Sequence, residues 1–187
     1  MDAQVRTQES YCVFDTAMGR CGVAWSERGL TRLQLPDSDR GATEKKVRTG
    51  RTPAEPPPHI RNVITQIQDY LAGREVDFSS VPVDVKDTDP FRRKIYELAR
   101  AVGWGQTITY GDLARLAGSN EPEAAREVGQ AMARNRIPLV IPCHRVLATG
   151  NRIGGFSAPG GTLTKRYLLA LEGHGMRDLF TPRGAPL

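Results

Sequence analysis

The chain has 187 residues, of which 39% are hydrophobic and 25% charged, with a formal net charge of +5. That length admits one large domain or two small ones, and no apolar run reaches the ~20 residues needed to cross a bilayer. The opening Met1-Asp2-Ala3-Gln4-Val5-Arg6 lacks the basic-then-apolar layout of a secretory signal, and three cysteines at irregular spacing make no disulfide framework. A reducing, cytoplasmic location, a monomeric state and no membrane partner are the resulting expectations. Charge is segregated along the chain. Residues 1–86 carry twelve basic and twelve acidic side chains, so the whole excess falls in residues 87–187, with fourteen and nine. A basic second half suits a polyanionic partner. The preference for arginine over lysine, 21 to 5, is equally well explained by codon usage.

Tyr11-Cys12-Val13-Phe14 and Cys21-Gly22-Val23-Ala24-Trp25 read as two strands joined by a hairpin loop over Asp15–Arg20. Arg28-Gly29 turns the chain into Leu30–Leu35, a period-2 strand, so three antiparallel strands are expected. Pro36 to Pro58 is polar, charged and aperiodic, and reads as a flexible surface loop. Ile60, Val63, Ile64, Ile67 and Leu71 lie on one stripe of a helix over Ile60–Ala72 that Gly73 stops. Val76–Phe78 and Val81–Val85 are expected to be extended. Lys86-Asp87-Thr88-Asp89-Pro90 reads as a boundary.

The second half changes character. Phe91, Ile95, Leu98, Ala99 and Val102 form the stripe of an amphipathic helix ended by Gly103. Thr109-Tyr110-Gly111-Asp112 is a capping box opening a short helix through Leu113, Leu116 and Ala117. After a turn at Ser119-Asn120-Glu121, Pro122 suits the first position of another helix, running to about Arg134. Helix, tight turn, helix is a helix-turn-helix arrangement. Its second helix carries Arg126 and Gln130 on one face, away from Ala125, Val128 and Met132. The expected class is α+β: a small N-terminal antiparallel-sheet domain (1–86), a mainly helical, winged-helix-like helix-turn-helix domain (87–173), and a C-terminal tail (174–187).

Ile137-Pro138-Leu139-Val140-Ile141 reads as a short buried strand delivering Pro142-Cys143-His144-Arg145-Val146. A free cysteine is most often a buried small hydrophobe. Here imidazole and guanidinium adjoin it, and positive charge lowers a thiol pKa toward the nucleophilic thiolate. Adjacent residues of an extended chain point oppositely, so Cys143 and His144 need a turn or a bridging water to cooperate. Gly154 to Gly161 is too glycine-rich for an element interior. It is expected to be a tight loop, and it lacks the strand-loop-helix context and the lysine of a phosphate cradle.

These pieces together resemble one family. Tyr110, Ala124-Ala125-Arg126, Val128-Gly129, Asn135, Ile141–Val146, Gly154-Gly155-Phe156-Ser157, Lys165 and Leu168–Glu172 recur in this order and at about these spacings in the O6-alkylguanine-DNA alkyltransferases. The resemblance is strong over residues 88–173. Over 10–86 it is weak, resting on strand order, and there it implies a ribonuclease-H-like domain. It implies irreversible, single-turnover transfer of an alkyl group from O6-alkylguanine in duplex DNA, with O4-alkylthymine as a further substrate, to one protein cysteine. No cofactor and no obligate protein partner are implied.

By the resemblance Cys143 is the nucleophile, His144 the base acting through a water, and Glu172 the residue that orients the imidazole. Tyr110 protonates the departing guanine, and Asn135 holds the cysteine loop. Arg126 fills the stack after the base is flipped out, on a helix that enters the minor groove. Ala125, Gly129, Gln130 and Thr109 accompany it on DNA, while Tyr110, Val146, Gly155, Phe156 and Ser157 wall the base pocket. Some members of the wider group hold zinc near the N-terminus. Here Cys12, Cys21 and His59 supply three ligands where a structural site wants four, so no zinc is expected. The sequence departs from the family pattern at Tyr96, at Gly103-Trp104 and in the longer turn at 119–121. Three rival readings remain open on the residues alone: a non-catalytic lesion sensor, a helix-turn-helix regulator, and a cysteine hydrolase that turns over.

Overall fold

The computed structural model describes residues 8–85, 87–121 and 123–174. The expected helix start at Pro122, the opening Met1–Arg6, Lys86 of the boundary segment and the tail from 175 onward lie outside the described residues. Strands β1 (Ser10–Thr16), β2 (Gly19–Ser26) and β3 (Gly29–Gln34) form two antiparallel hairpins. Their loops are two residues long, since Thr16 pairs with Gly19 and Ser26 with Gly29. The first loop is therefore shorter than the expected Asp15–Arg20, whose end residues pair with one another.

The segment expected to be a loop, 36–58, is structured. It holds α1 (Arg40–Arg48) and β4 (Thr52–Pro53), which pairs parallel to β1 and completes a sheet of order β3-β2-β1-β4. The reason lies in local chemistry. Asp39 caps the helix by accepting from the Ala42 N–H at 2.8 Å, which satisfies an otherwise orphaned donor. Only Thr43 and Val47 of α1 are buried, a stripe too thin to show as periodicity.

Sheet alternation assigns the two faces. Tyr11, Val13 and Ala24 pack with Val47 of α1, while Cys21, Val23, Trp25 and Leu33 join the main core. Helix α2 (Pro58–Leu71) covers that second face with Ile60, Val63, Ile67, Tyr70 and Leu71, and Gly73 ends it in the left-handed region (φ 84°). Of the expected extended segments, only the second pairs. Leu30 N–H donates to Pro82 O at 2.9 Å, and Asp84 N–H to Leu30 O at 2.7 Å. Residues 76–78 carry no strand.

The C-terminal half is helical. Asp89 caps α3 (Pro90–Arg100) by accepting from Arg92 N–H, and Ile95, Tyr96 and Ala99 face inward. Tyr96 donates its hydroxyl proton to Ala131 O at 3.0 Å, so this departure from the family pattern packs without an unsatisfied group. Strand β5 (Ile108–Thr109) leads into α4 (Tyr110–Leu116), which Thr109 caps as expected by accepting from Asp112 N–H at 3.0 Å. Leu116, expected on the buried stripe, is 60% exposed. Helix α5 (Ala124–Ala133) packs on α4 and completes the helix-turn-helix. Strand β6 (Val146–Leu147) pairs parallel with β5, and α6 (Gly161–Leu171) closes the fold. One apolar core runs without interruption from the sheet through α2 into α3, α4, α5 and α6.

Val47 of α1 packs directly on Gly22 of β2: a Cβ there would lie 2.8 Å from Val47 Cγ1. Gly22→Ala is expected to destabilise the protein by about 1–3 kcal/mol through overpacking. Adding Val47→Ala should return part of that loss. Urea denaturation of both variants checks this, and an unchanged midpoint for Gly22→Ala would contradict the close approach.

Candidate active site

The apolar run before the cysteine is a buried turn, not the expected strand. Pro138 and Pro142 have no N–H to give a ladder, and Leu139 sits at φ 69°, a strained conformation for a branched-chain residue. The backbone closes on itself: Ile141 N–H donates to Ile137 O at 2.9 Å and Cys143 N–H to Ile141 O at 2.8 Å. Asn135 supplies the remaining bonds. Its Oδ1 accepts from Ile137 N–H at 2.9 Å, and its Nδ2 donates to Ile141 O at 2.8 Å and to Cys143 Sγ at 3.1 Å. A 3₁₀ turn, Cys143–Arg145, follows and provides the reversal that two neighbouring side chains need in order to cooperate.

Glu172, just beyond α6, collects the donors behind the cysteine. Its Oε1 accepts from Tyr70 Oη at 2.5 Å, from His144 Nε2 at 2.7 Å and from Arg145 Nη2 at 2.9 Å. Its Oε2 accepts from Arg145 Nε at 3.0 Å and from Gly105 N–H at 3.2 Å. Both the His144 and Glu172 side chains are fully buried. Burial alone would raise the Glu172 pKa, but the donated bonds from His144, Arg145 and Tyr70 outweigh it and hold the carboxyl at about 2.

Burial, the leading cause, drives the His144 pKa below its ordinary value, so the ring is neutral. A carboxylate can only accept, so the ring proton is on Nε2 and the lone pair on Nδ1. That Nδ1 is buried and has no hydrogen-bond partner among the described residues. A neutral imidazole with a free lone pair and an anchored N–H can take up a proton.

The thiol does not behave as its flanking residues suggest. Burial pushes the Cys143 pKa above its ordinary value; the Asn135 amide, the Lys165 charge and the N–H groups of Cys143 and His144 oppose that only in part. The Arg145 guanidinium is committed to Glu172 and to Val102 O. The expected lowering by the basic pair is therefore corrected: one neighbour is neutral, the other neutralised. The positive charge that acts on the sulfur comes from Lys165, which donates to Val146 O at 2.6 Å and whose own pKa burial lowers to about 8. Its Nζ lies 5.7 Å from the centroid of the Tyr110 ring. Tyr110 is itself raised by burial and so remains a proton donor.

Cys143 opens into a cleft of about 500 Å³. Arg126, Gly129 and Gln130 of α5 line one side, and Tyr110, Gly155, Phe156 and Ser157 face them. The glycine-rich loop can approach because Gly154 has no Cβ, which would stand 3.0 Å from Tyr110 Cε2. One expected pocket residue falls elsewhere: Val146 is wholly buried in β6 and gives its carbonyl to Lys165. Of the residues expected on DNA, Thr109 caps α4 and Ala125 lies on α5, half-buried. Three contributors were not assigned from sequence: Tyr70 from α2, Arg145 as the partner of Glu172, and Lys165. Among the described residues no three His, Cys, Asp or Glu side chains stand close enough together to hold a metal ion, and no helix is long and apolar enough to cross a membrane.

Two family descriptions match this chain: "6-O-methylguanine DNA methyltransferase, ribonuclease-like domain" over residues 10–85, and the DNA binding domain of the same family over residues 90–174. The chain belongs to the 6-O-methylguanine DNA methyltransferase family. It is thereby one of the alkyl-transferring DNA-repair enzymes. Among its relatives, the constitutive methylated-DNA–protein-cysteine methyltransferase of Bacillus subtilis is 33% identical over 162 residues, covering 87% of this chain and 94% of the relative. The crystal structure of Mycobacterium tuberculosis OGT in complex with DNA matches with a TM-score of 0.70 at 30% identity, over 87% of this chain and 92% of that one. The O6-methylguanine-DNA methyltransferase from Pyrococcus kodakaraensis matches with a TM-score of 0.65 at 27% identity, over 89% and 99%. The family's fold, a small N-terminal sheet domain and a helical C-terminal domain, is the one described above.

The low Glu172 pKa has a thermodynamic consequence. A carboxyl whose folded pKa lies below its unfolded value, here about 2 against 4.5, stabilises the fold fully above pH 4.5. The contribution is lost as pH falls toward 2. Glu172→Gln is expected to be less stable than the wild type at pH 7. The gap should narrow below pH 4.5 by up to about 1.4 kcal/mol per pH unit, the value of one proton. Urea unfolding at several pH values measures it, and a gap that stays constant to pH 2.5 would show that the carboxylate is not held ionised.

Proposed function

We propose that the protein removes the alkyl group from O6-alkylguanine in duplex DNA and keeps it on Cys143. The observation that carries this reading is a thiol that lines a cleft walled by the helix-turn-helix, backed by a buried imidazole with a free lone pair and a carboxylate that fixes the imidazole. In the reaction His144 Nδ1 takes the Cys143 proton through a water. The thiolate then attacks the alkyl carbon: an S–C bond forms, the C–O6 bond breaks, and its electron pair passes to the guanine. Tyr110 gives its hydroxyl proton to the guanine ring, which leaves neutral; Tyr110 then regains a proton from solvent while His144 releases the one it took. The product is a thioether, which is not reversed, so each molecule acts once.

The raised thiol pKa suits this sequence of events. The sulfur remains protonated until a base acts, so a reagent that can be used only once is protected from stray electrophiles. Asn135 and Lys165 steady the anion when it forms. The target guanine reaches the cleft by flipping out of the duplex, at a cost of a few kcal/mol in lost stacking. Arg126 is exposed on α5 at the lip of the cleft, where it can occupy the space left in the stack. The small residues Ala125 and Gly129 let α5 lie close to a minor groove. The same cleft would admit O4-alkylthymine.

Intact mass measurement after incubation with a duplex containing one O6-methylguanine should give a gain of one methyl per protein, on Cys143, and none for Cys143→Ala. Binding without a mass gain would instead support a lesion sensor, and repeated turnover a hydrolase. Arg126→Ala should slow transfer from duplex by about tenfold or more while changing reaction with a free O6-alkylguanine base less than about twofold, since only the duplex demands flipping. Equal losses on the two substrates would remove Arg126 from that role.

A further inference from the structure

Two buried tyrosines in this fold satisfy their hydroxyls differently. Tyr96 gives its proton to a neutral backbone carbonyl, Ala131 O, the commonest partner for a buried side-chain donor. Tyr70 is fully buried on the inner stripe of α2, and its hydroxyl meets two groups of the relay behind the cysteine: Glu172 Oε1 at 2.5 Å and His144 Nε2 at 3.0 Å. Its ring is held by Trp104, edge-on at 5.2 Å, and by Phe78 at 5.7 Å. A phenylalanine would make those ring contacts and bring no polar atom into the core. Packing therefore accounts for the ring of Tyr70 and not for its hydroxyl.

The protons around this triangle have one arrangement. Glu172 is ionised and can only accept, so the phenol proton and the Nε2 proton of His144 both point at Oε1, which lies 2.7 Å from Nε2. The other tautomer would set a bare Nε2 lone pair against that oxygen. Tyr70 keeps its proton, because burial first and the Glu172 charge second raise its pKa. Two donors thus share one oxygen. A hydrogen bond given to a carboxylate disperses its charge and weakens its hold on the next donor. The hydroxyl of Tyr70 accordingly lessens the pull of Glu172 on the imidazole, and with it the stability of the imidazolium. The lone pairs of Tyr70 Oη act in the opposite sense on Nε2–H, but across the longer contact.

We propose that Tyr70 is a positioning residue for the reaction: by sharing Glu172 Oε1 with His144, it keeps the imidazole neutral and its Nδ1 lone pair available for the Cys143 proton. This rests on the reading of His144 as the base. The sheet domain then supplies one hydroxyl to the chemistry of the helical domain. The titratable and charged groups around His144 are Tyr70 from α2, Cys143 and Arg145 from its own turn, and Lys165 and Glu172 from α6 and its end. Glu172 titrates at about 2 and Lys165 at about 8, while burial raises Cys143 and Tyr70. Of these groups only His144 has an ordinary value, 6.5, between pH 5 and 7.5, so the fall in rate across that range reports its protonation.

Tyr70→Phe removes the hydroxyl and keeps the ring. Transfer from a free O6-alkylguanine base, which leaves DNA binding aside, is timed from pH 7.5 down to pH 5. The ratio of variant to wild-type rate should fall by about threefold or more across that range, because the imidazole becomes charged at higher pH. By NMR the ring of His144, one of three histidines, should titrate at higher pH in the variant than in the wild type. Phe78→Leu loosens the same packing and spares the hydroxyl; it should lower the urea midpoint and leave both pH curves in place. A flat rate ratio, a His144 titration that stays or moves to lower pH, or a Phe78→Leu variant that shifts the curves as Tyr70→Phe does, overturns the proposal. A wild type that takes no alkyl group defeats the reading of His144 as its base instead, and the NMR titration still decides whether Tyr70 governs the imidazole.

Discussion

The chemistry of this molecule depends on one buried negative charge. A carboxylate removed from water is costly unless it is hydrogen-bonded, and removing one partner of a buried pair costs about 3–5 kcal/mol. Glu172 meets that constraint with four donor residues from three places: Tyr70 on α2, Gly105 before β5, and His144 and Arg145 on the 3₁₀ turn. Each bond settles something else. The bond to His144 fixes the tautomer and leaves Nδ1 free; those to Arg145 hold the turn that carries the cysteine; that to Tyr70 ties the sheet domain to the reacting centre. Tyr70 is in turn wedged by Trp104, edge-on at 5.2 Å, and by Phe78 at 5.7 Å.

The thiol itself is restrained rather than activated. A cysteine with a permanently low pKa would react with any electrophile that reached it. Here burial keeps the proton on sulfur, and the groups that favour the anion stand in reserve: the Asn135 amide at 3.1 Å and the Lys165 ammonium, whose own pKa of about 8 lets it carry charge at neutral pH. In the proposed reaction, selectivity comes from removing that proton only when a substrate occupies the cleft.

Much of this was legible in the residues. The period-2 strands, the α2 stripe and the Thr109 cap follow from local rules, because each buries one face or satisfies one terminus. The roles proposed for Cys143, His144, Glu172 and Asn135 came through the resemblance, not through spacing. What escaped had physical causes. A buried turn and a buried strand have the same apolar composition, so Ile137–Ile141 could not be told apart without knowing that Asn135 replaces the ladder. Helix α1 buries two side chains and leaves no pattern. Arg145 reads as a neighbour of the thiol until its guanidinium is seen turned to Glu172. Tyr70 was read as neither core nor site, since its polar partner is 102 residues away.

That separation bears on the life of the chain before it ever meets DNA. Contacts between residues far apart in sequence form only after the intervening loop has closed, and a chain is synthesised from its N-terminus. Tyr70 is made early, His144 later, and Glu172 only after α6, the last helix among the described residues. While the chain is still emerging, the imidazole has no carboxylate to orient it and the cysteine turn has no anchor for Arg145. The relay is therefore completed only after α6 and Glu172 have been made, and a chain halted before them holds an unassisted thiol. A reagent that can be spent once is thus armed only when Tyr70, the cysteine turn and Glu172 are all in place.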